Sequence, residues 1–236
     1  MDRTREHGER TPGPEGAEPA GNEMEKFWEA HYTAKDRVWS GRPNAILVEV
    51  AGALPVGSAL DLGCGEGADA VWLAELGWRV TAADVSGTAL GRASVAAAEA
   101  GVADRIDFQR HDLTRTFPAG AFDLVSAQYL HAPLDFPRER ILRAAAGAVA
   151  PGGLLLIVDH SGFPSWAEEP LPDIHFDAPE EVLAGLGLRT GEWRTERLET
   201  AERRATGPDG RPGVLTDGII AVRRTASGGP RTAARP

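Results

Sequence analysis

One cysteine, Cys64, stands in a chain of 236 residues. That excludes an internal disulfide and any metal site built from clustered thiolates. Lysine is nearly as scarce, present only as Lys26 and Lys35. Arginine does not redress the balance: Lys and Arg total 25 against 35 Asp and Glu, a formal net charge of −10. Polyanions are held by clustered basic side chains, so a nucleic-acid partner is not expected. Long apolar runs are also missing. The longest, LLLIV at 154–158, falls far short of the ~20 residues that cross a bilayer. The first residues (MDRTREHGERTPGPEGAEPAGN) hold no hydrophobic signal core. No membrane partner and a cytoplasmic location are therefore expected.

What is present suits one ordinary domain: 42% of the residues are hydrophobic and 25% charged. Residues 1–22 and 226–236 are rich in Gly, Pro, Ala and polar residues without apolar periodicity, and are expected to be disordered tails. The domain then covers 23–225, as an N-terminal cap segment (23–57), a central core (58–160) and a loop, helix and hairpin (161–225). Short apolar strands alternate with amphipathic helices through the core. Strands are expected at 58–62, 79–83, 105–109, 122–127 and 154–158. Helices are expected at 68–76, ended by Gly77, at about 86–100 with Ser86 as cap, and at 137–149, closed by Pro-Gly-Gly at 151–153. Asp177 and Glu180 read as a capping box for one more helix. Stretches 188–204 and 214–224 flank the turn-rich TGPDGRPG and read as a long hairpin. The fold class is α/β: a Rossmann-like, doubly wound sheet, mostly parallel, of seven strands ending in an antiparallel hairpin.

The chemistry starts at residues 60–67, LDLGCGEG. Gly63, Gly65 and Gly67 let the backbone turn tightly and approach a ligand with no Cβ in the way. The helix that follows points free N–H groups at the same place. In open α/β sheets this turn lies at the crevice beyond the strand ends. Asp84, 21 positions after Gly63, ends the second strand where a carboxylate can accept hydrogen bonds from a ribose. A nicotinamide dinucleotide and S-adenosylmethionine are equally served so far. The spacing G-x-G-x-G departs from the pyrophosphate fingerprint G-x-G-x-x-G. Asp61, in the strand just before the turn, would repel a pyrophosphate and suit an ammonium and a sulfonium.

DLGCGEG, Asp84, HDL at 111–113, FDLVSAQYLH at 122–131 and PGGLLLIV at 151–158 resemble, in order and spacing, the motifs of class I S-adenosylmethionine-dependent methyltransferases. The segment HYTAKDRVWSGRPN (31–44) is similar to the lead-in of the tellurite-resistance and thiol methyltransferase subgroup. The resemblance implies S-adenosyl-L-methionine as cofactor. It assigns the methionine portion to Asp61 and the turn Gly63, Cys64, Gly65 and Gly67, and the ribose to Asp84. It assigns adenine to Val85, Asp112 and Leu113, and the sulfonium side to Gln128. Methyl transfer from a sulfonium needs no enzyme nucleophile, so Cys64 reads as a small buried thiol.

A base is useful where the acceptor must lose a proton. His131 and His160 follow adjacent strands, four and five, and are the candidate catalytic groups. Asp159, beside His160, is placed either to orient an imidazole or to cap the strand. The acceptor pocket is expected from Tyr32, Trp39 and Arg42 before the first strand, Tyr129 after the fourth, and Trp166 and His175 in the Pro-rich connection. Arg42 suits the methionine carboxylate. His131, His160 and His175, 29 and 15 residues apart, match no compact metal motif, and no metal is expected. His111 should alternate away from the crevice, and His31 should be peripheral. The reading is methyl transfer to a small-molecule acceptor through O, N or S, by a monomer or homodimer. The rivals are a non-catalytic S-adenosylmethionine-binding module and a nicotinamide-dependent oxidoreductase.

Overall fold

The computed structural model describes residues 23–168, 175–207 and 210–226; the predicted tails, apart from Ala226, lie outside these. Two helices, α1 (Glu23–Thr33) and α2 (Ala45–Ala51), precede β1 (Ser58–Leu62). Then follow α3 (Ala68–Glu75), β2 (Arg79–Asp84), α4 (Gly87–Glu99), β3 (Ile106–Arg110), β4 (Phe122–Gln128), α5 (Arg138–Gly147) and β5 (Val149–His160). The chain closes with α6 (Pro179–Gly185), β6 (Trp193–Thr206) and β7 (Pro212–Arg224). The strands form one seven-stranded sheet in the order β3-β2-β1-β4-β5-β7-β6. All pairs from β3 to β5 are parallel, and β7 runs antiparallel to both β5 and β6. Strand order therefore reverses between β1 and β4, the switch point at which a crevice opens beyond the strand ends.

Both faces of the sheet are covered, which is why its central strands are apolar without alternation. Along β5, Leu154, Leu156 and Val158 pack with Leu47, Leu73 and Trp78 on one face. Leu155 and Ile157 pack with Ile141, Leu142 and Leu186 on the other. Each such fully buried side chain contributes about 1.5–3 kcal/mol. Helix α4 begins as the sequence foretells: the Ser86 hydroxyl accepts from Ala89 N at 3.1 Å. Its buried face is alanine at 89, 93 and 97, a thin stripe that lets the helix lie close to the sheet. The exposed edge strand β6 is laced with charge, including Glu196 and Arg223 in a cross-strand pair, which discourages pairing with further strands.

Two expectations are corrected. Pro151-Gly152-Gly153 does not stand outside β5 but lies within it, at a register shift against β4. Gly153 is needed there, because a Cβ would sit 2.8 Å from the Phe122 carbonyl oxygen. Helix α6 starts one residue later than the predicted cap: Ala178 occupies the cap position and its N–H donates to Glu181 Oε2 at 2.9 Å. Alanine has no acceptor to return the bond, so only half of the capping box exists. Among the described residues, no helix is long and apolar enough to cross a membrane.

Candidate active site

A cleft of about 1330 Å³ opens over the carboxyl ends of β1, β2, β4 and β5. Its floor is the glycine turn. Gly63, Gly65 and Gly67 have φ of +69°, +52° and +82°, a region open at low cost only to glycine. Their missing side chains serve packing rather than ligand access alone. A Cβ at Gly65 would lie 2.8 Å from the Tyr32 hydroxyl, and one at Gly67 would lie 2.6 Å from Ala93 Cβ. The turn is thus clamped between α1 and α4, and Gly63 N and Cys64 N both donate to Ala83 O, at 2.8 and 3.0 Å.

Three carboxylates are buried around this turn. Asp61 is 2% exposed, and its Oδ2 has no hydrogen-bond partner among the described residues. Burial pushes its carboxyl well above the usual range, and Asp69 and Asp84 push it further. An orphaned, buried carboxyl of this kind is ionised at least cost beside a cation. Asp84 accepts from Gly65 N (2.8 Å) through Oδ2 and from Ser86 N (2.9 Å) through Oδ1. A second lone pair remains on each oxygen, enough to hold two ribose hydroxyls. Burial raises its pKa in spite of these bonds. Gln128 donates to Ser126 Oγ at 3.0 Å, while its buried Oε1 is unpartnered among the described residues. An aminoacyl sulfonium with a ribose fits this arrangement of donors and acceptors. Burial, then the Asp84 charge, keeps the Cys64 thiol protonated, so it is no nucleophile.

The N-terminal segment is tied across the turn by acids that the sequence reading did not single out. Glu66 accepts from Val38 N at 3.1 Å and Trp39 N at 2.9 Å and pairs with Arg92 at 2.8 Å. Although burial opposes it, these bonds hold the Glu66 carboxyl below its usual pKa. Asp69 takes the N–H and the side-chain amide of Asn44, both at 2.7 Å. Glu29 accepts from Ser86 Oγ at 2.7 Å and from the Thr88 hydroxyl. Trp39 Nε1 donates to the Tyr32 hydroxyl at 3.0 Å. The aromatic cap is therefore anchored to the glycine turn and the acids around it.

At the far end of the cleft two imidazoles each meet an Arg–Asp pair. His131 Nε2 lies 3.1 Å from Asp159 Oδ1, and Arg138 binds the other oxygen of Asp159. Asp159 does orient an imidazole, but that of His131 rather than of its neighbour His160. His160 Nδ1 lies 3.6 Å from Asp217 Oδ1, and Arg203 binds Asp217 Oδ2. Tyr129 stacks on His160 with ring centroids 4.4 Å apart and bonds Arg203 through its hydroxyl at 3.1 Å. Tyr129 has φ of +51°, a conformation costing of order 1–3 kcal/mol for a side chain of this size. Burial raises its phenol pKa, so it stays protonated.

Of the residues singled out from the sequence, Asp61, Gly63, Cys64, Gly65, Gly67, Asp84, Val85, Leu113 and Gln128 line the cleft, as do Tyr32, Trp39, Arg42, Tyr129, His131, His160, Trp166 and His175. Asp112 does not. Its Oδ1 accepts from Thr114 N and Oγ1, at 3.0 and 2.7 Å, folding the carboxylate into its own turn. His111, expected to face away, lines the cleft instead, because the chain leaves β3 before that residue and alternation no longer applies. His31, expected at the periphery, sits in the cap cluster, 5.4 Å from Trp28 and 6.2 Å from Trp39. His175 pairs with Asp177 at 3.3 Å and is 4.0 Å from Glu181; all three are exposed.

A methyltransferase-domain family model matches residues 59–153. A probable thiol methyltransferase of Arabidopsis thaliana is 31% identical over 173 residues, covering 70% of this chain and 72% of that one. A thiocyanate methyltransferase of the same plant is 29% identical over 174 residues, with 70% and 72% covered. A solved structure concerned with conversion of a disulfide bond into a thioacetal group during echinomycin biosynthesis superposes with a TM-score of 0.67. It is 25% identical and covers 87% of this chain and 94% of its own. With the glycine turn, the orphaned Asp61 and the switch-point cleft, these likenesses identify the chain as a member of the S-adenosylmethionine-dependent methyltransferases, an enzyme that transfers methyl groups from that cofactor.

Proposed function

We propose that the acceptor is a small molecule bearing a thiol, and that a cleft histidine removes its proton as the sulfur is methylated. The observation that carries this reading is the pair of imidazole–carboxylate contacts, His131–Asp159 and His160–Asp217, in the cleft that holds the glycine turn. A thiol has a pKa near 8.5 and is mostly protonated at neutral pH, and a positioned base is worth about 10²–10⁴-fold in such a case. Bound S-adenosylmethionine supplies the electrophilic methyl group. Asp61 would hold its ammonium, Arg42 its carboxylate and Asp84 its ribose, with Val85 and Leu113 against the adenine. The cap, tied down through Glu66 and Asp69, would exclude water, and alignment alone can supply roughly 7–11 kcal/mol. The relatives named for thiols and thiocyanate, and the neighbour named for a thioacetal, support sulfur as the acceptor atom. The cleft walls Trp39, Tyr129, Phe136, Trp166 and Phe176 favour a second reading, an aromatic hydroxyl. Labelled-methyl transfer to matched thiols, phenols, amines and imidazoles tests the choice. Product on the thiols is expected; cofactor binding without transfer to any member of the panel would reduce the site to a binding module.

A further inference from the structure

The C-terminal hairpin places Arg203 in the lining of the cleft and buries Asp217 behind His160, two charged side chains that none of the motifs above includes. Asp217, on β7, is 1% exposed, and on the strand it follows Leu215 and Thr216 and precedes the fully apolar 219–222. Burial opposes its ionisation, yet His160 and Arg203 hold its carboxyl below the usual range. Arg203, on β6 two pairs along the ladder from the residue opposite Asp217, claims Asp217 Oδ2. Among the described residues the other oxygen, Oδ1, is buried without a hydrogen bond, and so is His160 Nδ1, 3.6 Å from it. That separation is beyond a hydrogen bond, but such contacts are often long in a ligand-free site and tighten in the reactive complex. Because Nδ1 is buried while the His160 side chain is 43% exposed, the edge of the ring that faces the cleft carries Nε2. Tyr129 covers the ring face and Arg203 lies 5.9 Å from the Tyr129 centroid. On the neighbouring position of β5, Asp159 is turned to His131 and Arg138.

We propose that Asp217 and Arg203 are positioning residues that fix the His160 tautomer with its proton on Nδ1, leaving Nε2 free to take the acceptor's proton. The tautomer of a histidine is set by the bond its other nitrogen makes. The acceptor proton passes to Nε2. The acceptor sulfur forms the new bond to the methyl carbon as the carbon–sulfonium bond breaks, its electron pair staying on the departing thioether. The imidazolium then releases its proton to water. This assignment rests on the methyl-transfer reading above, but its orientation component can be measured without any acceptor.

Arg203 also makes the diagnostic substitution specific. In Asp217→Asn the Arg203 N–H still requires an oxygen, so the amide must turn its NH₂ toward His160 Nδ1. A donor there forces the proton to Nε2, the wrong tautomer, and an asparagine in the equivalent setting elsewhere costs about 10⁴-fold. Imidazole nitrogen shifts measured by NMR on the full chain with S-adenosylmethionine bound, assigned by loss of the signal in His160→Gln, should report Nδ1–H in the wild type and Nε2–H in Asp217→Asn. Turnover of Asp217→Asn should fall about 10²–10⁴-fold with acceptors protonated at the assay pH. It should change less than about threefold with acceptors already ionised, which need no base. Retained cofactor binding shows that the variant is folded. Should Asp217→Asn not fold, the double variant Arg203→Met/Asp217→Leu removes the pair as a unit and should give the same dependence on acceptor ionisation. An unchanged tautomer, or an equal loss with ionised and protonated acceptors, overturns the proposal. A switched tautomer with no transfer to any acceptor would leave the positioning standing and instead sink the thiol reading.

Discussion

Gly67 and Ala93 are in contact across the junction of the glycine turn and α4, so that a Cβ on Gly67 would lie 2.6 Å from Ala93 Cβ. With φ at +82° as well, Gly67→Ala has no relaxed conformation available. It is expected to destabilise the fold by about 1–3 kcal/mol and to weaken cofactor binding by displacing the turn. Gly91, within α4 and with open space around its Cα, is the control: Gly91→Ala should stabilise by about 0.5–1 kcal/mol. Urea denaturation of the two variants checks both signs.

Cofactor binding should depend on pH through Asp61. Burial, then Asp69 and Asp84, raises its pKa in the free protein, whereas an ammonium partner favours the ionised form. A carboxyl whose folded pKa is raised contributes stability that is complete below its unfolded value and is lost as pH rises through the folded value. The free protein should therefore lose that contribution on going from about pH 4 upward, while affinity for S-adenosylmethionine grows over the same range. Titration calorimetry between pH 5 and 8 should show affinity rising with proton release. Asp61→Asn should bind at least tenfold more weakly, with the dependence flattened.

The Glu66 clamp gives a kinetic prediction. Its carboxylate receives two backbone N–H groups and Arg92, and hydrogen bonds to a charged group are worth about 1.5–3 kcal/mol each. In Glu66→Ala the cap should open more often. Hydrogen exchange at Val38 and Trp39 should accelerate at least tenfold and S-adenosylmethionine should dissociate faster, with core amides such as Leu60 unchanged. Because the Glu66 pKa is lowered, its contribution is present above the unfolded value and is lost as pH falls through the folded one. Acid should therefore reproduce part of the variant's behaviour in the wild type.

The parts of this enzyme legible in its sequence are those with local signals. The glycine turn, Asp84, the capped α4 and the apolar strands each depend on residues within a few positions of one another. Hydrogen bonds and ion pairs across the fold carry no such signal. Asp69 and Asn44 are 25 residues apart, and Arg138 and Asp159 are 21 apart, so neither periodicity nor spacing joins them. Asp217 had a usable sign, a lone acid leading into the buried 219–222 run of β7. Asp112 shows how little one position settles, because an acid after a strand can fold an oxygen back on its own turn as readily as face a ligand. Pro151-Gly-Gly reads as a stop, and only the register shift against β4 reveals it as part of the strand.

If a cleft histidine takes the proton of a thiol as it is methylated, removing the histidines must matter only while the thiol is protonated. The direct measurement is single-turnover transfer of labelled methyl to one thiol, followed from below to above the thiol's own pKa in the wild type and in the His131→Ala/His160→Ala double variant. The variant should be about 10²-fold or more slower where the thiol is protonated and recover toward the wild-type rate as the thiol ionises. Equal rates for the two proteins at every pH would contradict that role for the histidines.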